Sequence, residues 1–114
     1  EEVALNVLRA VLPERLPTET QLLPNYPNPF NPETWIPFEL AEDAEVLIKI
    51  FDASGQVVRQ IGLGYLNAGS YASRRRAAYW NGRSDLGQCA SSGVYFCWIS
   101  AGRFSSIRKM GILK

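Results

Sequence analysis

The stretch Asn25-Tyr26-Pro27-Asn28-Pro29-Phe30-Asn31-Pro32 divides the chain. Each of its three prolines fixes φ and lacks a backbone donor, so neither a helix nor a central strand can run through it. The asparagines are residues that start turns, and residues 25–32, the proline-rich segment, are therefore predicted to be extended or turned. Its two aromatic side chains, Tyr26 and Phe30, are free to insert into a neighbouring core.

Ahead of the proline-rich segment, apolar residues recur with helical spacing from Glu1 to Leu12, and Pro13 ends the pattern. They are Ala4, Leu5, Leu8, Val11 and Leu12. The pattern predicts a short amphipathic helix, which at this length is marginal in water and has to dock on another surface. It is either the last helix of a preceding domain or a helix packed on the domain that follows. Residues 13–23 are predicted to be a linker.

The remainder of the chain has the alternating pattern of β-structure. The predicted strands are Thr34–Leu40, Glu45–Asp52, Gln56–Ile61, about Ser70–Trp80, Gly93–Ala101 and about Phe104–Leu113, with a loop or short strand around Tyr65 and Leu66. Pro37 makes the first an edge strand, or at least one with a free N–H side, and the turn Asp52–Gly55 joins the second and third as a hairpin. About seven short strands separated by Gly, Pro and Asn turns favour an immunoglobulin-like antiparallel β-sandwich over residues 25–114, preceded by the helix and linker of residues 1–24.

The composition excludes several classes of protein. The 114 residues make up one domain, and a hydrophobic content of 46% suffices for a small core. The net charge of +1 and a single short basic run, Arg74–Arg76, predict no nucleic-acid binding. No apolar run is long enough for a bilayer and no signal-peptide pattern is visible, so we expect no membrane insertion. Because the sequence begins at Glu1 without Met, we expect a fragment or a processed product.

The sequence also predicts no catalytic site, metal or cofactor. It contains no histidine, the commonest general base and metal ligand. The acidic cluster around Glu42 is predicted to be a solvated turn, the serines lack a base, and the aspartates lack the spacing of a calcium loop. Cys89 and Cys97 cannot complete a zinc site by themselves, so they are either two thiols or one disulfide.

Three further features stand out. The aromatic side chains of Trp80 and Tyr95 are predicted to lie in the core, because a small sandwich buries its large rings. The last strand carries Lys109 and Lys114, and two interpretations of it remain open. Its charges protect an ordinary edge strand, or the strand and a terminal carboxylate beside Lys114 are captured by a receptor.

The order of the motifs identifies a resemblance. The motifs are the proline-rich segment, Thr34-x-Ile36-x-Phe38-x-Leu40, Ile50-Phe51-Asp52-x-x-Gly55, Trp80-Asn81-Gly82, Gly93-Val94-Tyr95 and Lys109-Met110-x-Ile112-Leu113-Lys114. Residues 22–114 resemble the type-A C-terminal sorting domain of the bacterial type IX secretion system. The sequence departs from this family at Asn81, where aspartate is usual, and at the two cysteines, where apolar or aromatic residues are usual.

The resemblance implies an immunoglobulin-like fold, similar to that of the flagellar hook-capping protein, and a non-catalytic module that targets its parent protein for export and cell-surface attachment. The residues implied in recognition are Lys109, Met110, Ile112, Leu113 and Lys114. The structural motif residues are Asn25, Pro27, Asn28, Pro29, Phe30, Asn31, Pro32, Trp80, Gly93 and Tyr95.

The partners implied by the resemblance are secretion-machinery proteins of the outer membrane and the preceding domains of the parent protein. The implied location is the medium or cell surface of a Gram-negative bacterium, reached through the periplasm. The alternative is a structural or adhesion spacer in a large extracellular protein.

Overall fold

The computed structural model describes residues 17–114, which form nine strands and no helix. The strands are β1 (Gln21–Leu22), β2 (Thr34–Ile36), β3 (Phe38–Leu40), β4 (Ala44–Asp52), β5 (Val57–Leu66), β6 (Gly69–Tyr71), β7 (Ala78–Trp80), β8 (Gly93–Ala101) and β9 (Phe104–Ile112). The predicted helix over residues 1–12 lies outside the described residues. A search of the described part for a helix able to span a membrane found none.

The strands form three antiparallel sheets around one core. A four-stranded sheet has the order β5-β4-β8-β9, a three-stranded sheet has the order β1-β3-β6, and β2 pairs with β7. Buried side chains from all three sheets belong to a single hydrophobic cluster, so the two smaller sheets cover the inner face of the larger one. The predicted immunoglobulin-like sandwich is confirmed, with nine strands among residues 17–114 rather than about seven.

The centre of the four-stranded sheet follows the predicted alternation. Seven inward residues of β4 and β8 are at most 5% exposed; they are Val46, Ile48, Ile50, Tyr95, Cys97, Ile99 and Ala101. Each fully buried valine or isoleucine stabilises the fold by about 1.5–3 kcal/mol. Strands β4 and β8 pair in register over their whole shared length, which holds these inward rows side by side.

Asp52 organises the β4–β5 hairpin, as predicted. Its Oδ1 accepts hydrogen bonds from the hydroxyl (2.7 Å) and backbone N–H (2.9 Å) of Ser54 and from the N–H of Gln56 (3.0 Å). The Ser54 hydroxyl, followed by the Gln56 N–H, holds the pKa of this carboxyl below its usual value. Gly55 then takes a φ of 92°, which glycine reaches without steric cost. Strand β5 continues to Leu66, through the stretch that the sequence left open as loop or short strand.

The prediction of one strand over Thr34–Leu40 is wrong. The chain forms β2 and β3 there, and the two strands pair in different sheets. The edge position predicted at Pro37 is not found for β3, which lies between β1 and β6, whereas β2 belongs to a sheet of two strands. The proline sits where the chain crosses from one sheet to the other, so its missing N–H falls outside both ladders.

Two other boundaries differ from the prediction. Residues 70–80 form β6 and β7 rather than one strand, separated by a turn in which the N–H groups of Arg76 and Ala77 donate to the Ser73 carbonyl (2.9 and 2.7 Å). Residues 21–22, predicted as linker, pair with β3 as strand β1. Both differences arise from long-range pairing partners, which local residue patterns do not reveal.

Trp80 lies in the centre of the core, as predicted. Its side chain is 1% exposed and meets the ring of Phe30 at 5.6 Å and that of Tyr95 at 5.8 Å between centroids, both edge-on. The indole N–H donates to the carbonyl of Arg83 at 2.8 Å, so the ring is buried with its polar atom satisfied. The Tyr95 hydroxyl donates to the Ser91 carbonyl at 2.8 Å, an arrangement similar to the tyrosine corner of immunoglobulin-type sandwiches.

The two aromatic residues of the proline-rich segment differ in burial. Phe30 is 2% exposed and belongs to the core. Tyr26 is only half-buried, stacks on Trp35 at 6.4 Å between ring centroids, and donates its hydroxyl to the Ala72 carbonyl at 2.9 Å. Insertion into the core is therefore confirmed for Phe30, whereas Tyr26 packs against the outside of β2.

Gly82 allows the loop after β7 to approach the proline-rich segment. Its φ is 80°, and a Cβ added to it would run into the carbonyl oxygen of Pro32. Gly87, in the same loop, has a φ of 84° but nothing within 4 Å of an added Cβ. The two glycines thus share one backbone conformation and differ in their surroundings.

The two cysteines are separate thiols, one of the two alternatives left open by the sequence. Cys89 is exposed and Cys97 is buried between β4 and β9. Burial raises the pKa of the Cys97 thiol to about 12, because the thiolate would lose its hydration. Cys97 therefore acts as a small apolar core residue.

We expect Trp80→Ala to lower the unfolding free energy by about 3–5 kcal/mol, because it removes a buried ring that touches two others. A small domain has about 5–15 kcal/mol of stability, so much of the fold would be lost. Leu86→Ala is the control, since Leu86 is 86% exposed and its truncation should change stability by no more than about 0.5 kcal/mol. Equal denaturation midpoints for the Trp80 variant and the parent would show that Trp80 does not contribute to the core.

We expect Gly82→Ala to destabilise the domain more than Gly87→Ala. Both substitutions carry the cost of a left-handed backbone, about 1–2 kcal/mol. Only the first adds a steric clash with Pro32, which should cost a further 1–3 kcal/mol or so. Urea unfolding of both variants measures the difference, and equal losses would show that the loop moves away from the proline-rich segment without cost.

We expect one thiol to react with a thiol-specific reagent in the native protein at about pH 8, and two in guanidinium chloride. Cys89 is accessible, whereas Cys97 is buried and its pKa of about 12 keeps it protonated. Cys89→Ser should abolish the native reaction and leave the denatured one. An absence of reactive thiols in the denatured, unreduced protein would instead indicate a disulfide.

Candidate functional site

The five residues implied in recognition lie on β9 and directly after it. Strand β9 forms one edge of the four-stranded sheet and pairs with β8 along its whole length. An edge strand presents unpaired backbone groups on its free side, which makes it the usual place for a partner strand to add. The free side of β9 is only partly open, because residues that precede β2 lie against it.

The proline-rich segment covers the end of β9. The N–H of Phe30 donates to the Gly111 carbonyl at 3.0 Å, and the Phe30 carbonyl accepts from the N–H of Leu113 at 3.1 Å. The Oδ1 of Asn28 accepts the N–H of Gly111 at 3.0 Å, across 83 positions of sequence. Two motifs from opposite ends of the described chain therefore form a single hydrogen-bonded site.

The proline-rich segment is held in place by buried polar side chains. Asn25, 7% exposed, donates to the Pro27 carbonyl (3.2 Å) and to the Thr34 hydroxyl (3.0 Å). The Thr34 hydroxyl in turn donates to the Pro27 carbonyl at 3.0 Å. On the other side of the segment, Tyr26 and Trp35 exchange backbone hydrogen bonds of 2.9 and 2.8 Å. The segment therefore links β2 of one sheet to β9 of another.

Two other contacts of this region were missed by the sequence analysis. The Nε of Arg108 donates to the Leu22 carbonyl at 2.7 Å, which ties β9 to β1. The backbone N–H of Lys114 donates to the hydroxyl of Ser92 at 2.9 Å. A signal for the first was present, because the alternation along β9 places Arg108 on the same strand face as the buried Met110, although Arg108 itself is exposed. The single hydroxyl of Ser92 carries no such signal.

The structure does not bring the five recognition residues together on one surface. Met110 and Ile112 are 2% and 4% exposed and belong to the core. Lys109 lies on the outer face of the sheet, opposite Phe96 of β8. Leu113 is 66% exposed and Lys114 is exposed. In the folded domain, a partner can therefore reach the side chains of Lys109, Leu113 and Lys114.

The remaining motif residues lie in the backbone segments around this site. Gly93 begins β8 with a φ of 154° and pairs with Ile112. The peptide bonds before the three prolines of the segment are cis. The exposed residues of the segment are Pro27, Asn28, Pro29, Asn31 and Pro32. Of these, Asn28 and Pro29 lie beside Gly111 at the end of β9.

Among residues 17–114, no group of three or more His, Cys, Asp or Glu side chains is placed to hold a metal ion. A cleft of about 550 Å³ lies between Thr20, Glu42 and Arg103, and one of about 250 Å³ lies between the β4–β5 turn and the start of β8. The serines of the second cleft lie beside Asp52, whose lowered pKa makes its carboxylate a weak base.

Comparison with known proteins gives two kinds of similarity. The sequence model of the FlgD Ig-like domain matches residues 30–103. Among solved structures, the chain is similar to dimeric latent PorU from Porphyromonas gingivalis, with a TM-score of 0.61 and 16% identity over 82% of this chain and 9% of that one. A search of curated proteins found no match.

The chain is also similar to PorZ of the same organism, described as an essential bacterial surface component of the type IX secretion system. The TM-score is 0.51, with 20% identity over 83% of this chain and 11% of PorZ. The chain thus spans about a tenth of the length of each of the two proteins. At these identities the similarity shows a shared fold, and function has to be argued from the site.

The family match is more extensive. It runs from Phe30, in the proline-rich segment, to Arg103, in the turn before β9, and covers more than half of the chain. It includes β2 to β8, and with them most of the core described above. The chain belongs to the FlgD Ig-like domain family.

Proposed function

We propose that this chain is a non-catalytic type-A sorting module, which directs its parent protein to export by the type IX secretion system and to attachment at the cell surface. The ordered motifs, the family and the fold shared with PorU and PorZ support this proposal. The partners are secretion-machinery proteins of the outer membrane and the preceding domains of the parent. The parent is secreted or held at the surface of a Gram-negative bacterium after crossing the periplasm.

One observation carries the proposal: the two most distinctive motifs of the sequence touch each other. The hydrogen bonds from Phe30 and Asn28 hold the end of β9, and Leu113 and Lys114 lie exposed directly beyond it. A receptor that reads this end of the domain therefore meets the proline-rich segment and the lysine motif together. Such a composite surface is recognisable only in the folded module.

The first half of β9 offers a place for the receptor to pair. Backbone groups alternate in direction along an antiparallel strand, and those of Gly111 and Leu113 point to the free side. Those of Ile107 and Lys109 consequently point the same way, and no backbone hydrogen bond to this part of the edge comes from residues 17–114. Strand addition there would bring a receptor strand beside Lys109.

We expect Lys109→Ala and Lys114→Ala to leave the domain folded but to retain a fused reporter in the periplasm of a host with the secretion system. Exposed charges normally change stability by no more than about 0.5 kcal/mol, so the fold remains intact. Arg75→Ala is the matched control, because Arg75 is an exposed cation on the turn between β6 and β7. Fractionation of reporter activity measures the result. Unchanged export of both lysine variants would indicate that β9 is an ordinary edge strand without a role in recognition.

We expect removal of Met110–Lys114 to block export and also to destabilise the domain, since Met110 and Ile112 lie in the core. The truncation thus tests the whole signal, and the lysine variants separate recognition from folding. Full surface display of a reporter that carries the truncated domain, with the truncation confirmed in the displayed product, would refute the sorting function.

The alternative function is a structural or adhesion spacer in a large extracellular protein. The family match favours it, because that match rests on an Ig-like domain and stops before β9. A spacer has no part in export, so a reporter fused to the intact domain should stay in the periplasm. Under the sorting proposal, the intact domain carries the reporter to the surface and its deletion leaves the reporter in the periplasm.

A further inference from the structure

The outer face of the four-stranded sheet is unusually apolar. Side chains alternate between the two faces of a strand, and the outward positions of β4 and β8 carry large apolar residues as well as the inward ones. The apolar residues on the outer face are Leu47, Phe51, Val57, Val94, Phe96, Trp98 and Ile107. A solvent-facing antiparallel sheet normally carries polar residues there. We call this set, with Lys49 and Lys109, the outer patch.

The residues of the outer patch are neighbours across the strands. Phe51 pairs with Phe96, and Phe96 with Lys109. In the adjacent row, Lys49 pairs with Trp98, and Trp98 with Ile107. The exposed fractions are 56% for Ile107, 48% for Val57 and 43% for Val94, while the aromatic rings between them are half-buried. A continuous apolar surface of this kind marks a place where another molecule binds.

The charge on the outer patch is positive. The Nζ of Lys49 lies 5.5 Å from the centroid of the Trp98 ring, and Lys109 borders Phe96. Within the described residues neither lysine forms an ion pair; the salt bridge found there joins Arg59 to Asp85. The carboxylate on the same face of β4, Glu45, is at the far end of the strand, opposite Tyr65.

We propose that the outer patch is a docking surface for a protein partner that presents an apolar stripe bordered by carboxylates. The apolar part would cover the rings of Phe96 and Trp98, and the carboxylates would pair with Lys49 and Lys109. The identity of the partner rests on the proposed function, under which the partner is a component of the export machinery. Lys109 then contributes to recognition in two ways, through the outer face and through the edge of β9.

A second copy of the chain fits the outer patch poorly. In a twofold-symmetric pair the same surface comes from both subunits, so the interface would gather the lysines of both copies and no carboxylates from the patch. Lys49 lies on β4, between β5 and β8, near the middle of the patch. A dimer that buried the patch would therefore bury Lys49 rather than leave it at the edge of the interface. Juxtaposed like charges of this kind oppose association.

A lipid surface also fits poorly. Peripheral binding buries apolar side chains about 5–10 Å into the headgroup and acyl boundary. The rings of Phe51, Phe96 and Trp98 are half-buried among their neighbours and do not stand out from the sheet. Immersion of the whole face would bring the open edge of β9, with its unpaired backbone groups, into an apolar medium.

The first test is the export assay, with a matched pair of variants. Trp98→Ser combined with Lys49→Glu removes a cation and the ring beneath it from the outer patch. Tyr79→Ser combined with Arg75→Glu removes an exposed ring and an exposed cation from the other side of the domain, on β7 and on the turn that precedes it. We expect the first variant to retain the reporter in the periplasm and the second to export it.

Denaturation of each variant shows whether it folds. If the double variant does not fold, Ile107→Ser replaces it in the test, because Ile107 is more exposed and its substitution disturbs the fold less. This inference would be overturned if the folded outer-patch variants exported the reporter normally while the Lys114→Ala variant left it in the periplasm. The sorting function would still stand in that case. Export after deletion of the whole domain would overturn the sorting function itself.

The second test uses the purified chain and a synthetic probe. The probe is an amphipathic helical peptide with a leucine stripe flanked by glutamates, and its counterpart carries lysines in place of the glutamates. We expect calorimetry to show at least about tenfold tighter binding of the glutamate peptide, lost in the Trp98 and Lys49 double variant. Equal affinity for both peptides, or binding unaffected by the double variant, would overturn the proposed chemistry.

Further outcomes identify other occupants of the outer patch, and each would overturn the proposal. A dimer in sedimentation analysis that Trp98→Ser dissociates would assign the patch to a second copy. Flotation with vesicles of phosphatidylglycerol and phosphatidylcholine that depends on Trp98 would assign it to a lipid surface. Binding of the glutamate peptide only after Leu5→Ser and Leu8→Ser would assign it to residues 4–12 of the chain itself.

Discussion

The attachment of Phe30 to β9 is the interaction on which the rest of the domain depends. Its backbone holds the end of β9 through Gly111 and Leu113, and its ring packs edge-on against Trp80 in the core. One residue thereby closes part of an exposed sheet edge and fills the space between the sheets. Because three prolines restrict the backbone around it, little conformational freedom remains for the segment to lose on folding. The part of this edge that receives no backbone hydrogen bond from residues 17–114 is the first half of β9.

A segment rich in proline leaves carbonyl groups without the usual ladder partners, and this domain satisfies them with side chains. Thr34 and Asn25 both donate to the carbonyl of Pro27. The same solution recurs at two tyrosines, where Tyr71 and Tyr95 each donate a hydroxyl to the carbonyl four residues earlier. Buried polar groups cost free energy unless they are paired, so these contacts specify the loop conformations as well as stabilise them.

The strands of the four-stranded sheet contribute to the core with one face and to an exposed surface with the other. The inward side chains of β4 and β8 form the most buried part of the core, and the outward ones form an apolar surface that contains Lys49 and is bordered by Lys109 of β9. On β9 the same division separates Met110, which the fold needs, from Lys109, which the fold does not need. Residues adjacent in sequence can therefore be altered with different consequences, one affecting the core and the other affecting recognition.

The sequence by itself determined the elements whose signals are local. The alternation in Glu45–Asp52 and Gly93–Ala101 predicted β4 and β8 almost to the residue, because a strand buried on one face repeats every second position. The Asp52 turn and the burial of Trp80 also followed from residue type alone. The tertiary structure decided what depends on distant partners: the division of Thr34–Leu40 between two sheets, the pairing of β1 and the attachment of Phe30 to β9. Those outcomes depend on which strand edges meet across the core, and local periodicity carries no information about the partner.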